Sequence, residues 1–120
     1  MEEQTFHTLA HTALDEMRTV LDKVSTTELS QLCTVIGDSQ CIVLHGVGRE
    51  GLMMKALAMR LYHLGLNAHV LGDMTTPPLG PGDLFIVSAG PGYFSSIAAL
   101  CQTAQNAGAR VACILSLIHI

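Results

Sequence analysis

The sequence predicts an α/β protein whose parallel sheet is covered by helices on both faces, a three-layer α/β/α sandwich. Three observations carry that reading. Four short aliphatic and β-branched runs, at about 40–45, 68–72, 84–89 and 110–115, have the length and composition of buried strands. Helical segments at about 50–64 and 94–107 lie between the first and second runs and between the third and fourth, and strands alternating with helices pair in parallel. A glycine turn, Gly46, Gly48 and Gly51, joins the first run directly to the helix that follows it.

In chain order, Phe6, Leu9, Ala10, Ala13, Leu14, Met17, Leu21 and Val24 recur at helical spacing and predict a first amphipathic helix ahead of the sheet. Ser25 and Glu28 have the spacing of a capping box before Leu29, Leu32, Cys33 and Ile36, so a second helix starts there and ends near Gly37. The first strand, with Cys41, Ile42, Val43 and Leu44, runs into the glycine turn. Its glycines permit positive φ and close backbone approach, and the free N–H groups of the next helix favour an anion such as phosphate. That helix carries Met53, Met54 and Met59 among Leu57, Leu61 and Leu64 and is apolar on nearly every face. One sheet surface does not need so much, and a homodimer or homotetramer interface is the natural use of the rest. Ligands of such sheets lie beyond the carboxyl ends of the strands, which places the site at 45–51, 72–78 and 88–96.

Composition narrows the function. The chain has 120 residues, 49% of them hydrophobic, enough for one domain with a real core but few for a complete doubly wound sheet. A formal net charge of -4, with Lys and Arg totalling 6, argues against nucleic acid and anionic membrane as partners. Cys33, Cys41, Cys101 and Cys113 stand singly in apolar stretches without C-x-x-C spacing, as buried free thiols of a cytoplasmic protein do. No metal site is signalled: His7, His11 and His69 read as surface or helix-face residues. No run reaches the ~18 apolar residues of a spanning helix, and the acidic N-terminus has no signal-peptide pattern.

The G-x-G-x-x-G spelling is shared with dinucleotide-binding turns, for which Asp73 after the second strand would be the ribose-binding acid. The longer segment 46–65, GVGREGLMMKALAMRLYHLG, fits another family better. It closely resembles the first block of sugar isomerase (SIS) domains of the 6-phospho-3-hexuloisomerase branch. The likeness continues through Thr75, Thr76 and Pro77, the Gly80-Pro81-Gly82-Asp83 turn and the strand 84–88, and covers about 40–114. The resemblance implies a flavodoxin-like or Rossmann-like sandwich that binds phosphosugars. In this branch it implies interconversion of 3-hexulose 6-phosphate and fructose 6-phosphate through an enediol, without metal, nucleotide or other cofactor. Such chemistry needs a base that shuttles a proton and donors that polarise a carbonyl.

The resemblance also nominates residues. His63 matches the segment carrying a proposed active-site histidine, which family oligomers bring to a neighbouring subunit's sugar. Its position on the stripe Leu52, Ala56 and Met59 equally suits a core or interface histidine. Gly46 and Gly48 line the turn, where Arg49 either clamps phosphate or pairs with Glu50. Thr75 and Thr76 either bind sugar hydroxyls or serve as plain turn residues. The segment Ser88-Ala89-Gly90-Pro91-Gly92-Tyr93-Phe94-Ser95-Ser96 occupies the place of a Ser-x-Ser-Gly-x-Thr phosphate loop. Gly90 and Tyr93 stand where that loop has hydroxyls, so Ser88, Ser95 or Ser96 and the backbone of Gly90 and Gly92 either make an anion nest or belong to a turn that only caps a helix. Glu50 stands where the branch has serine, and a carboxylate there repels phosphate unless protonated or paired with Arg49 or Lys55. It reads as a solvated first-turn residue, as a sugar-hydroxyl or catalytic group, or as the sign of an altered ligand.

The expected organisation is a partial SIS domain over 1–114, with N-terminal helices at 1–38 and sheet and site loops at 40–114. The terminal Leu115-Ser116-Leu117-Ile118-His119-Ile120 is also the translation of a transposase end used in preparing sequencing libraries. A non-native tail at 115–120 and a C-terminally truncated domain, short of a downstream glutamate base, are therefore expected. Two functions compete: a sugar-phosphate isomerase, and a non-catalytic module that senses a phosphosugar.

Overall fold

The computed structural model describes residues 2–90 and 95–115. The expectations placed on Pro91, Gly92, Tyr93 and Phe94, and on the tail beyond Leu115, fall outside the described residues. The chain forms two compact units that divide between Cys33 and Thr34.

The first unit holds helix α1 (Glu3–Asp22) and most of α2 (Thr26–Asp38). The apolar stripe of α1 was legible as periodicity, yet none of its residues is buried within the chain. The N-terminus of α2 forms as its capping residues dictate: the N–H of Glu28 donates to Ser25 Oγ at 3.2 Å, satisfying one of the helix's free donors.

The second unit is the sheet, with strands β1 (Ile42–Gly46), β2 (Ala68–Val70), β3 (Leu84–Gly90) and β4 (Arg110–Leu115), and the helices α3 (Arg49–His63) and α4 (Ser95–Asn106). The strand order is β2-β1-β3-β4, and every pairing is parallel. From β1 the chain crosses through α3 to one side of the sheet, whereas from β3 it crosses through α4 to the other. The direction therefore reverses between β1 and β3, the switch point beyond whose carboxyl ends open α/β sheets place their ligand crevice.

Alternation along the two central strands divides the core. On one face Ile42, Leu44, Leu84 and Ile86 pack with Met54, Ala58 and Leu61 of α3, flanked by Val35 and Ile36 from the end of α2. On the other, Cys41, Val43, Phe85 and Val87 pack with Ile97 and Ala104 of α4. Full burial of such side chains contributes about 1.5–3 kcal/mol each before entropy is counted. The three-layer reading holds. The reading of the cysteines does not hold throughout: Cys41 is buried, but Cys33 and Cys113 are exposed. Cys113 lies on β4, the outermost described strand on that side, where only part of each residue is covered.

Candidate functional site at the ends of the central strands

The register of the central pair sets the site. Gly46, the last residue of β1, lies opposite Ser88 of β3, so the turn into α3 and the end of β3 are neighbours. Ser88 belongs to the α3 face of β3 by alternation with Leu84 and Ile86, and α3 begins at Arg49. A side-chain hydrogen bond joins the two elements there: Ser88 Oγ donates to Glu50 Oε1 at 2.8 Å. Ser88 is 9% exposed and is the buried polar side chain among the described residues.

The glycines that drew attention in the sequence divide their work. A Cβ on Gly51 would lie 2.6 Å from the carbonyl oxygen of Gly46, and one on Gly46 would lie 2.9 Å from the backbone of Glu50 and Gly51. These two glycines let strand and helix backbones touch each other. Gly48 is different: it is the N-cap of α3 with φ 63 and ψ -131, a conformation only glycine adopts cheaply. It carries the backbone conformation of the turn, and no side chain caps the helix there.

At the other wall Gly90 has φ 52 and follows a register shift between Ser88 and Gly90 in the pairing with β4. Such a bulge re-aims the end of a strand. Here it brings the backbone against Glu50: a Cβ on Gly90 would lie 2.5 Å from Glu50 Oε2 and 2.9 Å from Oε1. The carboxylate of Glu50 thus fills the space between Ser88 and Gly90. Of the three readings of Glu50, the simple solvated residue is overturned, because its side chain is half-buried and bonded across the crevice. Among the described residues it makes no ion pair with Arg49 or Lys55.

The remaining nominated residues lie at varied distances from this point. Arg49 is exposed at the start of α3, and Ser95 is exposed at the start of α4. Thr75 is exposed in the segment after β2, while Thr76 Oγ1 donates to the Val70 carbonyl at 2.6 Å and ties that segment to the strand. His63 is the last residue of α3, about 21 Å along the helix from Arg49 by the α-helical rise. The buried stripe of α3 is Met54, Ala58 and Leu61, so His63 belongs to the opposite, exposed face. The core reading of this histidine is thereby excluded. It stands beside Tyr62, its ring centroid 6.0 Å from the tyrosine's, with Leu52, Met53, Met59 and Leu64 also exposed on the helix. No three His, Cys, Asp or Glu side chains among the described residues gather as metal ligands.

A further histidine, His45, stands next to Gly46 near the carboxyl end of β1. It precedes the last residue of β1 and lies on the α4 face, stacked on Phe85 with centroids 6.5 Å apart and planes 15° from parallel. Burial pushes its pKa below the ordinary histidine value, so it stands neutral at pH 7. The Glu50–Ser88 contact was missed in the sequence, although both residues were singled out separately. The doubly wound pattern carried the available signal, since it sets the first and third strands side by side.

Comparison with known proteins agrees with this architecture. No family model matches the chain. Over 98 residues it is 40% identical to a 3-hexulose-6-phosphate isomerase of Mycobacterium gastri, covering 82% of this chain and 49% of that protein. Over 84 residues it is 44% identical to a 3-hexulose-6-phosphate isomerase of Bacillus subtilis, covering 70% and 45%. The chain therefore spans about half the length of the curated relatives it matches. Among solved structures, a Methanococcus jannaschii protein whose structure was taken to infer 3-hexulose-6-phosphate isomerase function superposes with a TM-score of 0.71 at 32% identity, over 74% of this chain and 50% of that one. A hypothetical protein of known structure shares the fold with a TM-score of 0.85 at 22% identity, over 94% and 60%.

Proposed function

Because this chain belongs to the sugar isomerase (SIS) domain family, in its 6-phospho-3-hexuloisomerase-like branch, we propose that it acts as a sugar-phosphate isomerase. The reaction interconverts 3-hexulose 6-phosphate and fructose 6-phosphate. The observation that carries the proposal is 40% identity, extending over 82% of the chain, to a relative named for this reaction.

In the proposed reaction a base removes the proton from C2 of the 3-ketose while O3 gains a proton, giving a 2,3-enediol. Return of a proton to C3 and loss of the O2 proton leave the carbonyl at C2. No electron leaves the substrate, and neither metal nor nucleotide enters the scheme. The sugar lies in the crevice beyond β1 and β3, lined by Gly46, Gly48, Glu50, Ser88 and Gly90. Arg49 and Ser95, at two helix starts, hold the phosphate. Thr75 and the Thr76 oxygen border the sugar from the segment after β2. His63 shuttles the proton. Since it stands at the far end of α3 from its own crevice, it serves the site of a second copy in a homodimer or homotetramer.

A second reading, a non-catalytic phosphosugar sensor, is favoured by one observation: a carboxylate already fills the space between Ser88 and Gly90. Titration of the 120-residue chain with fructose 6-phosphate, followed by NMR, separates the two. Conversion lost on His63→Ala supports the isomerase. Tight binding without turnover supports the sensor, and absence of both removes the phosphosugar reading.

A further inference from the structure

We infer that Glu50 and Gly90 are a matched pair that builds a permanent carboxylate into the crevice, so that the ligand group seated there is a neutral hydrogen-bond donor, a sugar hydroxyl, and never the phosphate. The inference rests on the reading that a phosphosugar occupies the crevice, and it specifies which end of that molecule faces Ser88.

Three features of the site support it. The carboxylate is held in place: one oxygen accepts the Ser88 hydroxyl at 2.8 Å, and that hydroxyl is buried. The other oxygen lies against Gly90, at a point 2.5 Å from where a Cβ would be, so any side chain at 90 and the observed position of Glu50 exclude each other. The charge is not cancelled by Arg49 or Lys55 among the described residues, so a phosphate dianion beside it meets a like charge at short range in a partly desolvated place. A carboxylate can only accept hydrogen bonds. With Ser88 occupying one oxygen, the capacity left over suits a donor from the ligand, and sugar hydroxyls supply it without a charge penalty. Glu50 is therefore a specificity-determining residue, and Gly90 the residue that leaves it room.

A double-mutant cycle tests the pair, using wild type, Glu50→Ser, Gly90→Ser and the double variant. Any side chain at 90 carries a left-handed backbone cost, but that cost is common to both backgrounds and cancels in the cycle. Gly90→Ser is expected to shift the unfolding equilibrium roughly threefold or more further with Glu50 present than in the Glu50→Ser background. Equal shifts would overturn the matched pair. Calorimetric titration with inorganic phosphate tests the charge. Glu50→Gln, which keeps the size and the bond from Ser88, is expected to bind phosphate about tenfold or more tightly than wild type; wild type binding as tightly as this variant would overturn the exclusion of phosphate. The isomerase reading is scored separately on wild-type turnover. Coupling and charge dependence without turnover would sink the isomerase and leave the pair standing, whereas turnover without coupling would do the reverse.

Discussion

The two ends of α3 differ as sharply as any two regions of the molecule. Its N-terminal end is pressed into the sheet, with Gly51 against the Gly46 carbonyl and Glu50 bonded to Ser88. Its C-terminal end stands free within the chain, with Tyr62 66% and Leu64 76% exposed on either side of His63. One sequence block thus contains an end packed into its own sheet and an end that is exposed among the described residues. The difference teaches that residues contiguous in sequence can have opposite fates, one end of a helix locked into its own sheet and the other left exposed.

The comparison can be broken at either end. The largest effect is expected at the free end: His63→Ala should lower turnover of fructose 6-phosphate roughly a hundredfold to ten-thousandfold, as loss of a general acid–base group does. Its unfolding free energy should stay within about 0.5 kcal/mol of wild type because the side chain is exposed. Full turnover in a stable variant would detach the C-terminal end from the chemistry. At the packed end Gly51→Ala should cost about 1–3 kcal/mol in urea unfolding, because its Cβ meets backbone that no rotamer change can move. An unchanged midpoint would mean that strand and helix are not held as closely as described.

Smaller effects sharpen the picture of the packed end. Ser88→Ala should cost about 1 kcal/mol in the same assay, the usual value of one hydrogen bond, and should leave Glu50 free to turn outward. The smallest effect concerns His45. Burial holds its folded pKa below 6.5, so below that pH the unfolded chain takes up the proton first. Its contribution to stability is complete above pH 6.5 and is lost as pH falls through the folded value. His45→Phe, which keeps a ring against Phe85, should flatten that part of the stability profile, and identical acid profiles for the two proteins would refute the buried neutral imidazole.

Much of the fold was legible because local rules agreed with one another. The strand predicted at 110–115 is β4, the capping box of Ser25 and Glu28 opens α2, and the helix predicted at 50–64 begins and ends within a residue of α3. The site was legible only in parts. Gly46 and Gly51 were read as glycines for a ligand, and the structure shows them accommodating each other. Glu50 and the altered loop after β3 were noticed as separate oddities. Glu50 and Ser88 are 38 residues apart in the chain, and the register of β1 against β3 brings them together. No periodicity within a single segment encodes that register. The exposure of His63 was equally hidden, since the spacing that places it on a stripe does not say which stripe of α3 faces the sheet.

The strand order also has a consequence for how the chain comes into being. β1 sits between two strands that are both made after it, and parallel pairing offers no hairpin to hold it meanwhile. During synthesis β1, α3 and β2 emerge first and can close on one another, but the other rim of β1, with Ile42, Val43 and Leu44, waits for β3. Throughout that interval the nascent protein presents an unpaired apolar edge of the kind that recruits other chains. The strand that completes the crevice is thus also the one that covers this rim of β1, and it passes the unpaired edge on to its own far side until β4 is made.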